Sequence, residues 1–541
     1  MISGSQAIIK CLEKEGVRNV FGYPGVAIAP FYDSLVGSKI RHILVRAEQN
    51  AGHAANGYAR ITGKPGVCVS TSGPGATNLI TALATAYMDS IPLIAITGQV
   101  SSELLGKDVF QEADITGAAE PFTKYSYLIK DVEDIPRVFK EAFYIANTGR
   151  KGPVLIDVPM DIQQKMLNFS YPDSVNIRGY KPTVKGHVVQ IKKVASAISE
   201  SKRPIICVGG GVIASNAQQQ LRDLSEKYDI PVVSTLMGIS AMPTEHPNYL
   251  GMLGSNGKIY ANKAVAESDL FILVGARVAD RAVVSPVSIE KSKPIIHIDI
   301  DPAEIGKNIG ATIPLVGDVA NILEQIIKQE PKGNRKEWID KITVWKKELV
   351  STKDDIKGYV NPAKFLQALS RKLDDDVIYV ADVGQNQMWS AGNYIVRNGK
   401  FLTTGGMGTM GYSLPAALGA KLASPKTQVV AVCGDGSFQM CLMELATMNQ
   451  HKIPVKLVVM RNHYLGLVRE YQHNLYNDNY SGVDLSGSPE IEDIAKAYSV
   501  PFVKINDMSE VDDGIDKFLA DKEACIMEVN VFSFESSKET R

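Results

Sequence analysis

Residues 429–438, VVAVCGDGSF, decide the fold class. Five apolar residues lead into Asp435, which lies between two glycines, and such a run is typical of a buried parallel strand that ends in a tight turn. Similar β-branched runs, bounded by Gly, Pro or Asp, alternate with helix-like segments along the whole chain. This alternation predicts parallel α/β sheets. The predicted strands are 42–45, 66–71, 92–97, 153–158, 204–210, 269–275, 295–300, 377–382, 429–433, 455–460 and 524–529.

The chain is too long for one hydrophobic core, since it has 541 residues. Two polar, weakly patterned stretches, 163–185 and 328–359, predict connections between domains, and the second contains a charged helix. We therefore predict three doubly wound parallel-sheet domains, at 1–165, 186–330 and 360–541. The net charge is −1, from 58 basic and 59 acidic residues, which favours a small-molecule substrate over nucleic acid or a membrane.

The six cysteines form no CxxC pair, and most lie in apolar runs. Such residues are typical of buried free thiols in a reducing compartment. Residues 1–16 have the pattern of an amphipathic helix of the fold, not that of a targeting peptide, and no apolar run is long enough to span a membrane. We expect a cytoplasmic protein.

The first and third predicted domains contain similar units. Residues 67–97 and 429–460 each read as strand, Gly-rich turn, helix and then an Ile-Pro pair before the next strand. Any two βαβ units share part of this pattern, so one match alone is weak. The layout nevertheless favours two related outer domains around a different middle domain.

Asp435 and Asn462 follow two successive predicted strands of one parallel sheet, 27 positions apart. Ligands of such sheets bind beyond the carboxyl ends of the strands. Gly434 and Gly436 let the backbone approach a ligand, and a helix expected to begin near Phe438 would favour phosphate there. One carboxylate and one amide oxygen suit Mg²⁺ that also binds diphosphate oxygens and water. The alternative is that both side chains merely cap a helix and a strand end.

This GDG…Asn spacing resembles the metal-diphosphate motif of thiamine diphosphate (ThDP) enzymes. Within them, FGYPG, TSGPGATN, KDVFQEAD, HIDIDPAEIGKN and GTMGYSLPAALGA resemble acetohydroxyacid synthase, also called acetolactate synthase. The resemblance runs from Met1 to about Val531. It implies decarboxylation of pyruvate and transfer of the hydroxyethyl unit to a second 2-keto acid, which gives 2-acetolactate or 2-aceto-2-hydroxybutyrate in branched-chain amino acid biosynthesis.

The resemblance also implies roles for individual residues. Glu48 lies between a predicted strand and an Ala-rich helix, where a buried carboxyl is expected, and in the family it shares a proton with the cofactor's aminopyrimidine. Met410 matches the apolar residue that bends the cofactor, and Gln111 a second catalytic residue. The metal ligands would be Asp435, Asn462 and the Tyr464 carbonyl. Further ThDP contacts would come from Tyr23, Pro24, Gly25, Asn78, Val383, Gly384, Gln385, Asn386, Gly408, Gly434, Gly436, Ser437, Leu465 and Gly466.

In this family the middle domain binds FAD, which has no net redox role. Gly209, Gly210, Gly211 and Arg277 match positions on that surface, although no clean GxGxxG follows the strand. The sequence leaves open whether FAD is kept. The family also implies a homodimer or homotetramer with the active site between subunits, and it allows a small regulatory subunit.

Several positions depart from the family pattern. Asn386 replaces a usual His, Arg461 precedes the metal-binding Asn where Asn or Asp is usual, and Tyr471 replaces a Trp. The substrate pocket would include Val26, where the family has Gly, together with Phe110, Gln111 and Tyr471. Changes of this size shift acceptor preference by ~1–3 kcal/mol. A carboligase with another acceptor, a pyruvate oxidase or decarboxylase, and a catalytically silent paralogue therefore stay open as alternatives.

Overall fold

The computed structural model describes residues 1–283, 286–349 and 353–538. Eighteen of its strands form three six-stranded sheets, and every neighbouring pair within them is parallel. This confirms the prediction of three parallel α/β domains, and all eleven predicted strands are present. The strands are β1 (Ile2–Ser3), β2 (Asn19–Gly22), β3 (Arg41–Leu44), β4 (Gly66–Ser70), β5 (Leu93–Gln99), β6 (Tyr125–Leu128), β7 (Pro153–Pro159), β8 (Met166–Leu167), β9 (Pro204–Val208), β10 (Val232–Ser234), β11 (Tyr249–Met252), β12 (Leu270–Val274), β13 (Ile295–Asp299), β14 (Ile313–Val316), β15 (Ile378–Ala381), β16 (Lys400–Leu402), β17 (Val429–Gly434), β18 (Lys456–Arg461), β19 (Phe502–Ile505) and β20 (Cys525–Asn530). The two short strands β1 and β8 pair with each other in an antiparallel ribbon.

The two outer sheets share one strand order. It is β3-β2-β4-β5-β7-β6 in the first domain and β16-β15-β17-β18-β20-β19 in the third, whereas the middle sheet runs β11-β10-β9-β12-β13-β14. The predicted relation between the outer domains is therefore present in the topology. In such sheets the crevice for a ligand opens where the strand order reverses. These points lie between β2 and β4, between β9 and β12, and between β15 and β17.

Helices cover both faces of each sheet, and short 3₁₀ turns occur at 26–28, 102–104, 120–122, 132–134, 236–241 and 508–510. The α-helices are α1 (Gly4–Lys14), α2 (Ala29–Leu35), α3 (Glu48–Thr62), α4 (Pro74–Thr77), α5 (Ile80–Asp89), α6 (Ile115–Ala119), α7 (Ile135–Asn147), α8 (Met160–Gln164), α9 (Val188–Glu200), α10 (Gly210–Ala214), α11 (Gln218–Lys227), α12 (Ile259–Glu267), α13 (Pro286–Ser292), α14 (Val319–Ile327), α15 (Lys336–Glu348), α16 (Pro362–Lys372), α17 (Gln385–Asn393), α18 (Ser413–Ala423), α19 (Asp435–Gln439), α20 (Glu444–His451), α21 (Gly466–Tyr476), α22 (Ile491–Ala497) and α23 (Val511–Leu519).

Two local predictions are tested by these elements. The first segment is indeed a helix, α1, and Ser3 caps it by accepting a hydrogen bond from the Gln6 amide. The helix expected near Phe438 begins instead at Asp435 and has only five residues, because the chain turns directly from β17 into α19.

All six cysteines are buried and unpaired, as predicted. Within the described ranges, no helix is both long and apolar enough to cross a membrane.

Helices α3 and α18 join the first and third domains through a close backbone contact. A Cβ built on Gly57 would lie 2.0 Å from the Ala416 carbonyl oxygen, and one built on Gly419 would lie 1.8 Å from the Ala54 oxygen. Both distances are far below van der Waals contact, so each helix needs glycine where it meets the backbone of the other.

We predict that Gly419→Ala destabilises the protein by ~1–3 kcal/mol, because the added methyl group forces the two helices apart. The free energy of unfolding in urea measures the effect. Gly392→Ala is the matched control, since a Cβ at this helical position meets only Lys258 Nζ, at 4.0 Å. There the better helix propensity of alanine should stabilise the fold by ~0.5–1 kcal/mol. Equal effects at the two positions would contradict the packing argument.

Candidate active site

The carboxyl ends of β15, β17 and β18 bring together the third-domain residues of the predicted site. The β17 turn supplies Asp435, the end of β18 leads into Asn462, and the loop after β15 supplies residues 383–386. Side chains link these loops: Asn462 bonds Gln385, and the Asn386 amide oxygen faces Gly434. The predicted grouping at one edge of the sheet is therefore present.

Asp435 is a buried carboxylate, only 5% exposed. Its Oδ1 accepts the Gly436 amide at 3.1 Å, and its Oδ2 accepts the His463 amide at 2.8 Å. Burial raises the pKa of Asp435 to about 6, against the lowering effect of these hydrogen bonds. No ion pair between described residues engages this carboxylate. A buried negative charge with spare lone pairs fits a bound cation.

Two further oxygens lie on the loop after β18. Asn462 is 5% exposed, and its Oδ1 accepts the Tyr464 amide at 3.0 Å while its Nδ2 donates to Gln385 at 3.0 Å. No hydrogen bond between described residues takes up the Tyr464 carbonyl. A carboxylate, an amide oxygen and a free carbonyl are hard ligands, and their chemistry fits Mg²⁺ completed by diphosphate oxygens. Among the described residues, no group of three or more His, Cys, Asp or Glu side chains could hold a metal.

The Asn386 side chain holds the loop after β15 in place. Asn386 Nδ2 donates to the Asp382 and Val432 carbonyls, at 2.9 and 3.2 Å. Both amide hydrogens of Asn386 are thus bonded within the protein, and this side chain holds the loop instead of donating to a ligand. Gly384 has a φ of 136°, which favours glycine at this turn.

Asp382 is a functional residue that the sequence analysis missed. It is fully buried, and its carboxylate accepts the backbone amides of Val383, Gly411 and Ser413 at 2.7–3.0 Å. Burial raises its pKa to about 6. Asp382 therefore ties the loop after β15 to the loop that carries Met410. The available signal was its place at the end of the predicted strand 377–382, which matches that of Asp435.

Met410 lies beside the β17 turn. A Cβ built on Gly436 would lie 3.6 Å from Met410 Cε and 2.8 Å from Leu465 Cδ2. Apolar side chains therefore pack closely against Gly436. The remaining third-domain candidates have these places: Gly408 is exposed at φ 64°, Ser437 bonds the Gly434 backbone, and Gly466 opens α21.

Arg461, which the sequence left unexplained, is held by an ion-pair cluster with Glu490 and Glu528. It is 4% exposed and pairs with Glu490 through both terminal nitrogens, at 2.6 and 3.0 Å. Glu528 lies 3.5 Å from the same guanidinium, and Lys504 completes the group at 3.1 Å from Glu528. Successive side chains of a strand face opposite sides, so Arg461 anchors β18 while the next residue faces the site.

Glu48 is the first residue of α3 in the first domain. Its Oε2 accepts Asn78 Nδ2 at 2.9 Å, and a Cβ on Gly75 would lie 3.3 Å from its Oε1. The prediction of a buried carboxyl is wrong within one chain, because Glu48 is only half-buried. The strand before it, β3, is an edge strand, so its carboxyl end is open on one side.

The other first-domain candidates lie after β2 and on the loop that follows β5. Gly73 packs against the Gln111 backbone, which has φ 57°, and Gly25 packs against Thr71. Three apolar side chains project into solvent here: Tyr23 is 41%, Val26 74% and Phe110 85% exposed. Pro24 lies between Tyr23 and Gly25 in the turn.

Within one chain, the described residues of the two groups are not bonded to each other. No hydrogen bond or ion pair between described residues joins Glu48 to Asp435 or Asn462. The third domain also exposes large apolar side chains near its group: Met440 is 54%, Val468 48% and Tyr471 51% exposed. Val26 and Phe110 of the predicted substrate pocket therefore lie in a different domain from Tyr471.

A cleft of about 1480 Å³ lies between the three domains. The middle domain lines it with the turn after β9 and with the segment after β12, at the reversal point of its sheet. Gly209 and Gly211 are required by packing, since their Cβ atoms would lie 2.2 and 2.6 Å from Gly275. Gly210 is not required by packing, since its Cβ would meet Met237 at an ordinary contact distance of 3.4 Å.

Arg277 lines the same cleft. In the part of the chain that the structure describes, no hydrogen bond or ion pair engages its guanidinium. Burial lowers its pKa, and so does nearby Arg150. A guanidinium that lines the same cleft as the Gly210 turn fits the phosphates of a dinucleotide, so the chemistry of this cleft is compatible with FAD.

Three family descriptions match the chain in order. They are "Thiamine pyrophosphate enzyme, N-terminal TPP binding domain" over residues 2–118, "Thiamine pyrophosphate enzyme, central domain" over 191–326, and "Thiamine pyrophosphate enzyme, C-terminal TPP binding domain" over 382–529. Each match contains one of the three sheets or most of it. Thiamine pyrophosphate is the same compound as ThDP, so the predicted cofactor is confirmed at the level of the family.

Curated relatives extend this similarity along the chain. A probable acetolactate synthase large subunit of Methanocaldococcus jannaschii is 44% identical over 98% of this chain and 92% of its own length. An acetolactate synthase large subunit of Mycobacterium tuberculosis is 46% identical over 92% of this chain and 82% of its own. One from Haemophilus influenzae is 41% identical over 98% of this chain and 94% of its own. The resemblance inferred from the motifs is thus confirmed, and the chain belongs to the thiamine pyrophosphate enzyme family, in which these relatives are acetolactate synthases.

Proposed function

We propose that this chain is a ThDP-dependent carboligase that converts two molecules of pyruvate into 2-acetolactate and CO₂. With 2-ketobutyrate as the acceptor it would make 2-aceto-2-hydroxybutyrate. The observation that carries the proposal is the group of buried Asp435 and Asn462 with the Tyr464 carbonyl, at the ends of β17 and β18, in a chain similar to acetolactate synthases over nearly its full length.

The third domain would hold Mg²⁺ and the diphosphate. Asp435 would supply the charge, and Asn462 and the Tyr464 carbonyl would supply neutral oxygens. Backbone N–H groups of the turn after β15 would donate hydrogen bonds to the diphosphate. Bound ThDP supplies the carbon nucleophile and electron sink for decarboxylation of a 2-keto acid. The protein's share is to orient that group and to keep water away.

Glu48 would hold the proton that the cofactor's aminopyrimidine exchanges. Its Oε2 is oriented by Asn78, and its Oε1 faces the backbone at Gly75. A half-buried Glu48 in one chain becomes enclosed if a second copy covers this edge. The first-domain group and the third-domain group of two copies would then complete one site, with Gln111 and Met410 on opposite walls.

The exposed apolar side chains support this arrangement. Tyr23, Val26 and Phe110 surround the first-domain group, and Met440 lies next to the third-domain group. We therefore propose a homodimer or a larger homo-oligomer as the active form. A small regulatory subunit is also proposed, because the relatives are named large subunits.

FAD would occupy the cleft between the domains. Arg277 and the Gly210 backbone would bind its diphosphate. The acceptor would reach the site past Val26 and Tyr471, which differ from the family pattern.

Pyruvate alone, with Mg²⁺ and ThDP, should give CO₂ and acetolactate, detected as acetoin after acid treatment. Glu48→Gln should lower turnover by ~10²–10⁴-fold, because it removes a proton-transfer group. Its unfolding temperature should not change. Glu120→Gln, at an exposed position of the same domain, is the control. Acetaldehyde or acetyl phosphate as the main product, or absence of CO₂, would refute the proposed activity, and full turnover by Glu48→Gln would refute its role.

Asp435→Ala should weaken Mg²⁺ binding at saturating ThDP by at least ~100-fold. Even the loss of a residue that only orients a metal ligand lowers metal affinity by ~10–100-fold. Calorimetric titration of Mg²⁺ measures this, and chelation with EDTA should release ThDP from the wild type. The control is Asp493→Ala on exposed α22. Unchanged Mg²⁺ affinity in Asp435→Ala would rule out this carboxylate as a ligand.

Purified protein should show a flavin absorption band, and Arg277→Met should lose most of it, because the substitution removes the guanidinium proposed to bind the diphosphate. Arg178→Met, at an exposed position outside the cleft, should keep the band. A wild-type protein that stays colourless after incubation with FAD would exclude flavin binding.

A further inference from the structure

Glu470, on α21, is a buried carboxylate with an unusual set of partners. It is 6% exposed, and no ion pair between described residues engages it. Its Oε2 accepts Gln385 Nε2 at 2.9 Å, its Oε1 accepts the Ser536 hydroxyl at 2.6 Å, and the Ser537 amide reaches both oxygens, at 2.9 and 3.2 Å. Burial alone would raise the pKa of Glu470, but these hydrogen bonds bring it below its usual value. Glu470 is therefore an ionised group that only accepts hydrogen bonds.

This acceptor determines how the amide of Gln385 is oriented. Gln385 Nε2 donates to Glu470 and also to the Glu535 carbonyl at 2.6 Å, so both of its hydrogens are bonded on that side. Its Oε1 must then face the other way, where it accepts Asn462 Nδ2 at 3.0 Å. The orientation of one amide thus imposes the orientation of the next.

The consequence reaches the proposed metal site. Because Asn462 Nδ2 is bonded to Gln385, Asn462 Oδ1 lies on the opposite side, where it accepts the Tyr464 amide. Mg²⁺ binds amide oxygen and not amide nitrogen. A reversed Asn462 would present N–H groups to the metal.

Gly466 shows how tight this arrangement is. A Cβ at position 466 would lie 2.0 Å from Gln385 Oε1 and 2.6 Å from Asn462 Nδ2. The two amides are therefore pressed against the start of α21, and this independent contact limits their rotation.

Segment 535–537 is itself anchored at several points. Lys353 donates to the Glu535 carboxylate at 2.6 Å and to the Ser536 carbonyl at 2.8 Å. Trp389 Nε1 donates to the same carbonyl at 3.0 Å. Asn256 of the middle domain bonds the Ser537 hydroxyl at 3.3 Å. The segment is thus held where its backbone can bond Glu470 and Gln385.

We propose that Glu470 and segment 535–537 are positioning groups for the metal ligand Asn462, acting through Gln385. The proposal rests on the proposed function, in which Asn462 binds Mg²⁺. Since binding free energies are reciprocal, Mg²⁺·ThDP must in turn stabilise segment 535–537.

Glu470→Gln tests the first half of the proposal. In the variant, an amide N–H of residue 470 faces a donor, either the Gln385 amide or the serines of segment 535–537. Two donors cannot bond each other, so the orientations of Gln385 and Asn462 should be disturbed. Calorimetric titration with Mg²⁺ at saturating ThDP should show an affinity ~10–100-fold below the wild type, the usual effect of an indirect partner. Ser536→Ala keeps the carboxylate and should shift the affinity in the same direction by less. Glu492→Gln, exposed on α22, is the matched control and should bind Mg²⁺ as the wild type does.

Hydrogen exchange tests the second half without any turnover. Adding Mg²⁺ and ThDP should slow exchange of the Ser537 amide in the wild type and should have little effect in Glu470→Gln. Wild-type Mg²⁺ affinity in both Glu470→Gln and Ser536→Ala would overturn the proposal, as would exchange that is indifferent to the cofactor. If Asp435→Ala also binds Mg²⁺ normally, the metal site itself is wrongly assigned. If only Asp435→Ala loses binding, the positioning proposal alone fails.

Discussion

The contact between α3 and α18 determines how one chain presents its two functional edges, because each helix begins next to a candidate residue. Helix α3 starts at Glu48, and α18 starts three positions after Met410. Only glycine at the crossing lets the two backbones touch, as the distances at Gly57 and Gly419 require. Glu444 reinforces the contact, since its buried carboxylate accepts the Arg46 amide and the Asn50 side chain, on either side of Glu48. The two edges are therefore fixed relative to each other, although no hydrogen bond or ion pair between described residues joins Glu48 to Asp435 or Asn462.

One topological rule places all three candidate ligand-binding regions. In a parallel sheet the loops on either side of the reversal point leave in opposite directions and open a crevice. The turn of Tyr23–Gly25 follows β2, the Gly209–Gly211 turn follows β9, and residues 383–386 follow β15. Each of these strands lies at the reversal point of its sheet. Because the strands of each sheet are parallel, the turns that follow them lie at one edge. Their backbone amides and polar side chains are therefore brought together there.

The sequence predicted the central strands and the Asp435–Asn462 pair because both are local signals. Long β-branched runs mark strands buried on both faces. The prediction missed seven strands of the three large sheets, each only three or four residues long: β2, β6, β10, β11, β14, β16 and β19. The positions of Asp435 and Asn462 after two successive strands were enough to predict that they lie together, because parallel strands end at one edge of the sheet. Spacing could not explain Arg461, whose partners Glu490 and Glu528 are 29 and 67 positions away. Nor could it predict the role of an amide such as that of Gln385, which depends on contacts from three separate segments.

Three buried carboxylates near the proposed metal site, Asp382, Asp435 and Glu470, lack an ion pair in the described residues, and their hydrogen bonds separate their roles. Asp382 accepts three backbone amides and Glu470 accepts donors from Gln385 and two serines, so each is committed to holding loops together. Burial raises the pKa of Asp382 and of Asp435 alike, to about 6, so burying either charge has a cost. Asp435 differs in its hydrogen bonds, because it accepts only one amide on each oxygen. A divalent cation would relieve that cost, since no third donor from the described residues reaches the Asp435 carboxylate. The least satisfied of the three carboxylates is therefore the one suited to bind the metal, while the two better satisfied ones hold the loops around it.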